Sequence, residues 1–377
     1  MHFWLIAAPA ENGSKEETWK RLNNATLELS QNYKMKIPEL RVGTLDSLMS
    51  LSDDLERIDR QVESVVHRIE KELHEHAGGE EPTVDGTPVE RFATAFEWDQ
   101  ARYPVKSSLN ELVSMIHDIV ARIDEELKAK LMDYNGLKSA MAQSERKTQG
   151  GLNQRTIVDL VRKEHVIASE KLTTVFLACP KFAVKDFLAG YEKWHEFTTD
   201  KGALNAVVPR SALKLDEDQE FELYRVVVFK NAEDDFKSKA RENRMTVRDF
   251  AYQDGQATAD TDERNKLKQD TEKAWSGLVR WSKTSYSESM RAWVHLKAIR
   301  VFVESVLRYG LPPTFQAMLV RPGKNDAKVR KILGTTFGHL SSGGISKDPE
   351  AETPAGQAKF YPYVDVDVRL LSMQSDD

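Results

Sequence analysis

The chain has 377 residues, of which 40 % are hydrophobic and 30 % charged, and a formal net charge of −6. That is the balance of a soluble globular protein, long enough for two or three domains and a sizeable core without disulfide or metal staples. Mild acidity excludes the basic stripe of a nucleic-acid binder and argues against a surface built for anionic lipid.

The opening run Phe3-Trp4-Leu5-Ile6-Ala7-Ala8 is too short and lacks the basic start of a signal peptide, so it predicts a buried strand. Trp19, Leu22, Ala25 and Leu29 then recur at spacings of three and four and predict a helix over 15–32. A connector follows through Pro38 and Gly43, and Thr44 or Ser47 supplies the cap of the next helix. That helix is expected over 52–75, with Leu55, Ile58, Val62, Ile69 and Leu73 on one stripe, stopped by Gly78 and Gly79. The stretch 78–88 is rich in Gly, Pro and polar residues and predicts an exposed loop.

From 105 to 147 there is no proline and one glycine, Gly136. Apolar residues run from Leu109 through Ile116, Ile123 and Leu131 to Met141, so a helix of about forty residues, roughly 60 Å, is predicted. Gly150 and Gly151 break it. A strand over 173–179, a helix over 185–198, a strand over 220–229, a helix over 232–244 and a strand over 245–252 make a small α/β domain. The single cysteine, Cys179, ends the first of these strands and reads as a core residue of a protein from a reducing compartment. A second long helix is expected over 262–309, ended by Gly310, Pro312 and Pro313. Strands over 315–320 and 364–370 follow, the latter alternating Val with Asp and Arg, and the N-terminal strand joins their sheet.

The resulting fold class is mainly α with α+β end domains: an elongated dumbbell of head, antiparallel long-helix neck and discontinuous foot. Residues 1–151 form the first part of the foot and the ascending helix, 152–255 the head, and 256–377 the descending helix and the rest of the foot. No apolar segment reaches the ~20 residues of a membrane helix.

Chemistry-bearing patterns are few. No segment fits the phosphate loop G-x-x-x-x-G-K-[ST], no H-E-x-x-H pair occurs, and there is no G-x-S-x-G elbow. His74 and His76 stand two apart at a helix end and face different ways. His295 reads as a packed, hydrogen-bonded histidine rather than a base. Asp53-Asp54, Asp124-Glu125-Glu126 and Asp234-Asp235 read as solvated helix charges. No catalytic residue, metal site or cofactor is expected. Lys237, Lys239, Arg241, Arg244 and Arg248 cluster within a dozen residues. Each taken singly is a solvated residue balanced by Glu233, Asp234, Asp235 and Glu242; taken together they suggest a patch for an acidic protein or filament.

Several stretches carry a resemblance to a known family. They are 3–9, Ile37-Pro38-Glu39-Leu40-Arg41-Val42-Gly43-Thr44-Leu45-Asp46, Phe96-Glu97-Trp98-Asp99, Val207-Val208-Pro209-Arg210-Ser211, 240–250, the long block 295–313, and Phe360-Tyr361-Pro362-Tyr363-Val364. In order and over nearly the whole length, the chain resembles the C subunits of eukaryotic V-type proton ATPases. The stretch after Gly78 and the tail 341–358 depart from the family pattern. The resemblance implies a head, a paired-helix neck and a foot. It also implies a non-catalytic stator role: the head grips one E–G peripheral stalk, while the foot meets another stalk and the cytosolic domain of the membrane-embedded a subunit. Reversible assembly of the pump, a place on the cytosolic face of vacuolar and other endomembranes, and in some members binding of actin or nucleotide are implied as well. The alternative is a free actin-binding cytoskeletal adaptor. The head residues expected to touch a partner are Arg210, Lys237, Lys239, Arg241, Arg244 and Arg248.

Overall fold

The structure, a computed structural model, describes residues 2–76, 81–167, 169–199, 202–340 and 361–370. In chain order it contains β1 (His2–Pro9), α1 (Lys15–Thr26), β2 (Ser30–Met35), α2 (Leu45–His76), β3 (Thr83–Val84), β4 (Thr87–Pro88), α3 (Val89–Thr94) and α4 (Leu109–Gln149). Next come β5 (Leu172–Pro180), α5 (Val184–Gly190), β6 (Glu196–Thr199), β7 (Gly202–Asn205), β8 (Leu213–Glu217), β9 (Phe221–Phe229), α6 (Glu233–Glu242) and β10 (Thr246–Arg248). The chain ends with α7 (Gln256–Tyr309), β11 (Phe315–Pro322), α8 (Asp326–Thr336) and β12 (Val364–Arg369). Helix predominates, with sheet in both of the compact units into which the chain divides: Met1–Leu131 with Ser276–Asp377, and Met132–Trp275.

The first unit holds the antiparallel sheet β12-β1-β11-β2. Its central strand β1 is apolar throughout because both of its faces are covered, and Phe3 through Ala8 are all buried. One face packs Trp4, Ile6 and Met318 against Leu22 of α1 and Val329 and Leu333 of α8. On the other face Leu5, Leu319 and Val368 approach Ala93 of α3 and Val294 of α7. The edge strand β12 keeps its expected alternation, with Val364, Val366 and Val368 inward. From Tyr286 to Val306, α7 is buried on nearly every side, since the sheet, α2, the start of α4 and the loop 96–103 surround it. Each large side chain buried there contributes roughly 1.5–3 kcal/mol.

The second unit contains the sheet β10-β5-β9-β8, antiparallel throughout. Helices α5 and α6 lie on one face, where Phe187, Tyr191, Phe236 and Ala240 meet Val175, Leu177 and Val226. On the opposite face Leu152, Ile157 and Val161 cover Phe176, Ala178 and Leu223.

Several expectations from the sequence change. The helix expected over 15–32 ends at Thr26. Its last turn is closed by side chains: Thr26 Oγ1 donates to the Leu22 carbonyl at 3.0 Å, and Asn32 Nδ2 donates to Thr26 Oγ1 at 2.9 Å. Residues 30–35 can then serve as an edge strand on β11. Thr44 caps α2, accepting the Ser47 N–H at 3.3 Å. Within the expected loop 78–88 lies a small hairpin, β3–β4, whose turn places Asp85 and Gly86 at φ 48° and 78°, the left-handed pair that Asp-Gly adopts most easily. The Gly78-Gly79 stop falls outside the described residues, as do the tails 341–358 and 372–377. The helix expected over 185–198 stops at Gly190, and β6 follows. A continuous helix would carry Trp194 roughly 10 Å along its axis from Phe187. Bending the chain instead brings its ring to 5.6 Å from Phe187 and 5.9 Å from Phe236. Helix α8 and strand β8 are additions to the expected elements. Asn325 caps α8 by accepting the Lys328 N–H at 3.0 Å, and Val329, Leu333 and Phe337 line its inner face.

The expected seam of the long helices is uneven. In α4 the buried residues run from Leu109 to Leu127, and in α7 they begin at Leu278. Leu131, Tyr134, Leu137 and Met141, with Leu267 and Ala274, are half-buried. Charged residues such as Lys130, Asp133, Lys138, Arg264 and Lys268 crowd both sides of these narrow stripes.

Candidate partner-binding surfaces

His295 and Cys179 are occupied structurally. His295 is 1 % exposed, with Nδ1 donating to the Arg291 carbonyl at 2.8 Å and Nε2 accepting the Asp99 N–H at 3.0 Å. Its ring is wedged among Phe96, Trp98 and Tyr103, with centroids 4.6–5.0 Å away. Burial pushes its pKa down to about 4, so it stays neutral. Cys179 is fully buried, and burial lifts its thiol to about 12, far from the thiolate a nucleophile needs. Among the described residues no group of three His, Cys, Asp or Glu is placed to hold a metal ion, and no helix is long and apolar enough to cross a membrane.

The first unit holds several charged side chains in its interior. Asp59 of α2 is 1 % exposed and accepts from Trp293 Nε1 at 2.9 Å, Lys297 Nζ at 2.9 Å and Arg300 Nη1 at 2.8 Å. Lys297 also donates to the Asp367 carbonyl of β12 at 2.8 Å, tying the edge strand to α7. Farther along α2, His67 sits 2.9 Å from Glu70 and 3.7 Å from Glu63. Burial opposes its charge, but the bonds to Glu63 and Glu70 outweigh that and raise it to about 9. Arg330 of α8 lies 3.7 Å over the Trp4 ring and 4.5 Å from that of Tyr361, and bonds Asp365 at 2.6 Å. These charges hold elements together and offer nothing to a partner.

The six cations expected to meet a partner all lie in the second unit, but in different states. Lys237 is spent on Glu233 at 2.8 Å and Asp249 at 3.3 Å. Arg248 donates to the carbonyls of Asn153 at 2.6 Å and Gln154 at 3.2 Å, clasping the loop after α4, and burial lowers its pKa. Lys239 pairs with Glu242 at 2.7 Å on the surface. Arg210, Arg241 and Arg244 are exposed; Arg210 and Arg244 sit at positive φ, 57° and 64°, and so project from turns. The backbone N–H of Arg210 donates to Glu192 Oε1 at 2.7 Å, which leaves its guanidinium outside.

Exposed apolar residues of the same unit, which include Met132 at 79 %, are missing from the candidates that charge alone suggests, and two of them stand close together in sequence. Phe182 is 76 % exposed and Leu188 46 % exposed, both on the outer side of the turn and helix 181–190. The signal is present in the sequence: Ala183, Phe187 and Tyr191, four apart, take the inner face, so Phe182 and Leu188 must point away. The unit also has a cleft of about 370 Å³ where Ser144, Lys147 and Thr148 of α4 face Asp260, Thr261 and Arg264 of α7. Its walls mix both signs of charge and select no ligand class.

Comparison with known proteins shows the family to which the chain belongs. The family described as the C subunit of V-ATPases matches residues 3–364. The V-type proton ATPase C subunit 1-B of Danio rerio is 42 % identical over 388 aligned positions, covering 99 % of both chains. The V-type proton ATPase C subunits 1 of Xenopus laevis and of Rattus norvegicus are each 40 % identical over 389 positions, again covering 99 % of both chains. With the family match running from β1 to the first residue of β12, and with relatives of the same length, the chain belongs to the V-ATPase C-subunit family.

Proposed function

We propose that this chain is a non-catalytic stator subunit of a vacuolar-type proton-translocating ATPase. It links E–G peripheral stalks to the cytosolic domain of the membrane-embedded a subunit, on the cytosolic face of endomembranes. The single observation that carries the reading is the match to V-ATPase C subunits over 99 % of the chain. The division into a foot with ascending helix (1–151), a head (152–255) and a descending helix with the rest of the foot (256–377), arranged as a dumbbell, belongs to the same proposal. Two units with separate apolar cores suit a part that grips different partners. A link made of several modest interfaces is firm while all are engaged and can be released one by one, as reversible assembly requires.

Calorimetric titration of the full-length chain with an E–G heterodimer, and separately with the cytosolic domain of the a subunit, tests the reading. Saturable binding to both is expected. Binding to neither overturns it, and co-sedimentation with actin filaments in that case would move the assignment to a cytoskeletal adaptor.

A further inference from the structure

We propose that the outer side of segment 181–188, centred on Phe182 and Leu188 and bordered by Lys181 and Lys185, is the surface by which the second unit grips an acidic segment of its partner that also carries apolar residues. This rests on the stalk reading above and narrows it to one face.

Three observations converge. First, Phe182 is 76 % exposed although its neighbours are fixed. The Lys181 N–H donates to the Glu220 carbonyl at 2.9 Å, and Ala183 is buried in the core. A loose segment would let an aromatic ring fold back onto the protein; here the backbone is pinned on both sides, and the ring is held outward. Second, Leu188, on the same short segment, is 46 % exposed. Phe187 and Tyr191 anchor the helix inward through ring contacts, Phe187 with Tyr224 at 5.1 Å and the two with each other at 5.2 Å. Phe182 and Leu188 are therefore carried on a rigid support, with little ordering left to be lost on binding.

Third, the border is basic and available. Lys181 and Lys185 are exposed, and neither has an ion pair among the described residues, whereas Lys237 and Lys239 are already neutralised. Asp186 is the one exposed acid within the strip. A rigid aromatic and a leucine ringed by free ammonium groups is the composition of an interface centre with a polar rim. Acidic residues beside apolar ones would complement it in both respects.

The test uses the full-length chain and an E–G heterodimer in calorimetry, with circular dichroism melting as the check on folding. The pair Phe182→Glu and Leu188→Glu is expected to raise Kd at least about thirtyfold, the size of a central hot spot, with an unchanged melt. The pair Lys181→Glu and Lys185→Glu is expected to slow association several-fold and to flatten its dependence on salt. The milder pair Phe182→Ser and Leu188→Ser repeats the first test should the carboxylates disturb the fold. Wild-type affinity in the Phe182 and Leu188 variants overturns the assignment of this face and leaves the stalk reading standing. So does loss of binding on Arg241→Glu with Arg244→Glu while the Phe182 and Leu188 pairs bind normally. Absence of binding by the unmodified chain overturns the stalk reading, and this face with it.

Discussion

Lys297, Arg300 and Arg330 of the first unit point inward, and each has a carboxylate within 3 Å: Asp59 for the first two and Asp365 for the third. Lys181, Lys185, Arg241 and Arg244 of the second unit stand in solvent. The same residue types are thus structural at some positions and available at others, and what separates these two sets is desolvation. A cation removed from water must be paired and hydrogen-bonded or it destabilises the fold by several kcal/mol, whereas an exposed one is held by solvent whether or not a partner is near. Counting basic residues therefore says little about where a partner binds until burial has sorted them.

The largest expected effect is at Asp59. Asp59→Ala leaves Lys297, with its side chain 4 % exposed, without its buried counter-ion, and strips acceptors from Trp293 and Arg300. A loss of about 3–5 kcal/mol in urea unfolding is expected, the usual result of breaking one side of a buried ion pair. Because Lys297 also holds the Asp367 carbonyl, amide exchange in β12 should rise with it. A loss under about 1 kcal/mol would mean that water reaches Lys297 and that the inward cations are not structural in the sense argued.

A smaller effect attaches to His67, whose pKa is raised from 6.5 to about 9 by Glu63 and Glu70 against the opposing pull of burial. In this pH range the folded protein holds a proton that the unfolded chain releases. Its stabilisation is therefore complete below pH 6.5 and is lost as pH rises through about 9. His67→Gln should flatten the fall in stability across that window by on the order of 1–2 kcal/mol, less than the full shift implies because the ring edge meets solvent. Melting temperatures of the two proteins measured from pH 6 to 9.5 read this directly: the curves should converge at the alkaline end, and parallel curves would break the assignment.

The sequence makes some of this legible and hides the rest for physical reasons. The apolar run of β1, the stripe of α2 and the alternation of β12 are local patterns, and the folded chain keeps them. Asp-Gly at 85–86 and the Asn325 cap of α8 are equally local signals, masked when glycine and polar residues are equated with loop. Asp59 and Lys297 give no such sign. Asp59 belongs to the run Asp59-Arg60-Gln61, which looks solvated, and its burial depends on α7, more than two hundred residues away. Lys297 has one clue, its place in a stretch apolar on almost every side, where a lysine requires a buried acceptor. Among the candidate partner residues, charge is visible and availability is not: Lys237 and Arg248 are used up by contacts with Asp249 and with the carbonyls of residues 153–155. Phe182 is legible only through its inner neighbours, by elimination around a helix.

Lys239 gives the smallest expected effect and the sharpest control on the comparison. Its pair with Glu242 has a short separation of 2.7 Å, close to that of the Lys297–Asp59 pair at 2.9 Å, so distance alone would rank the two as equals. Their surroundings differ: the side chains of Lys239 and Glu242 are 46 % and 62 % exposed, and those of Lys297 and Asp59 4 % and 2 %. Water screens the surface pair and solvates either partner once the other is gone, so Lys239→Ala should change unfolding free energy by less than about 0.5 kcal/mol. Raising salt should leave even that small difference unresolved, while the cost of Asp59→Ala should persist, since ions do not reach it. A loss at Lys239 approaching that at Asp59 would show that pair geometry, not burial, sets the strength of these contacts, and the distinction between inward and outward cations would have to be abandoned.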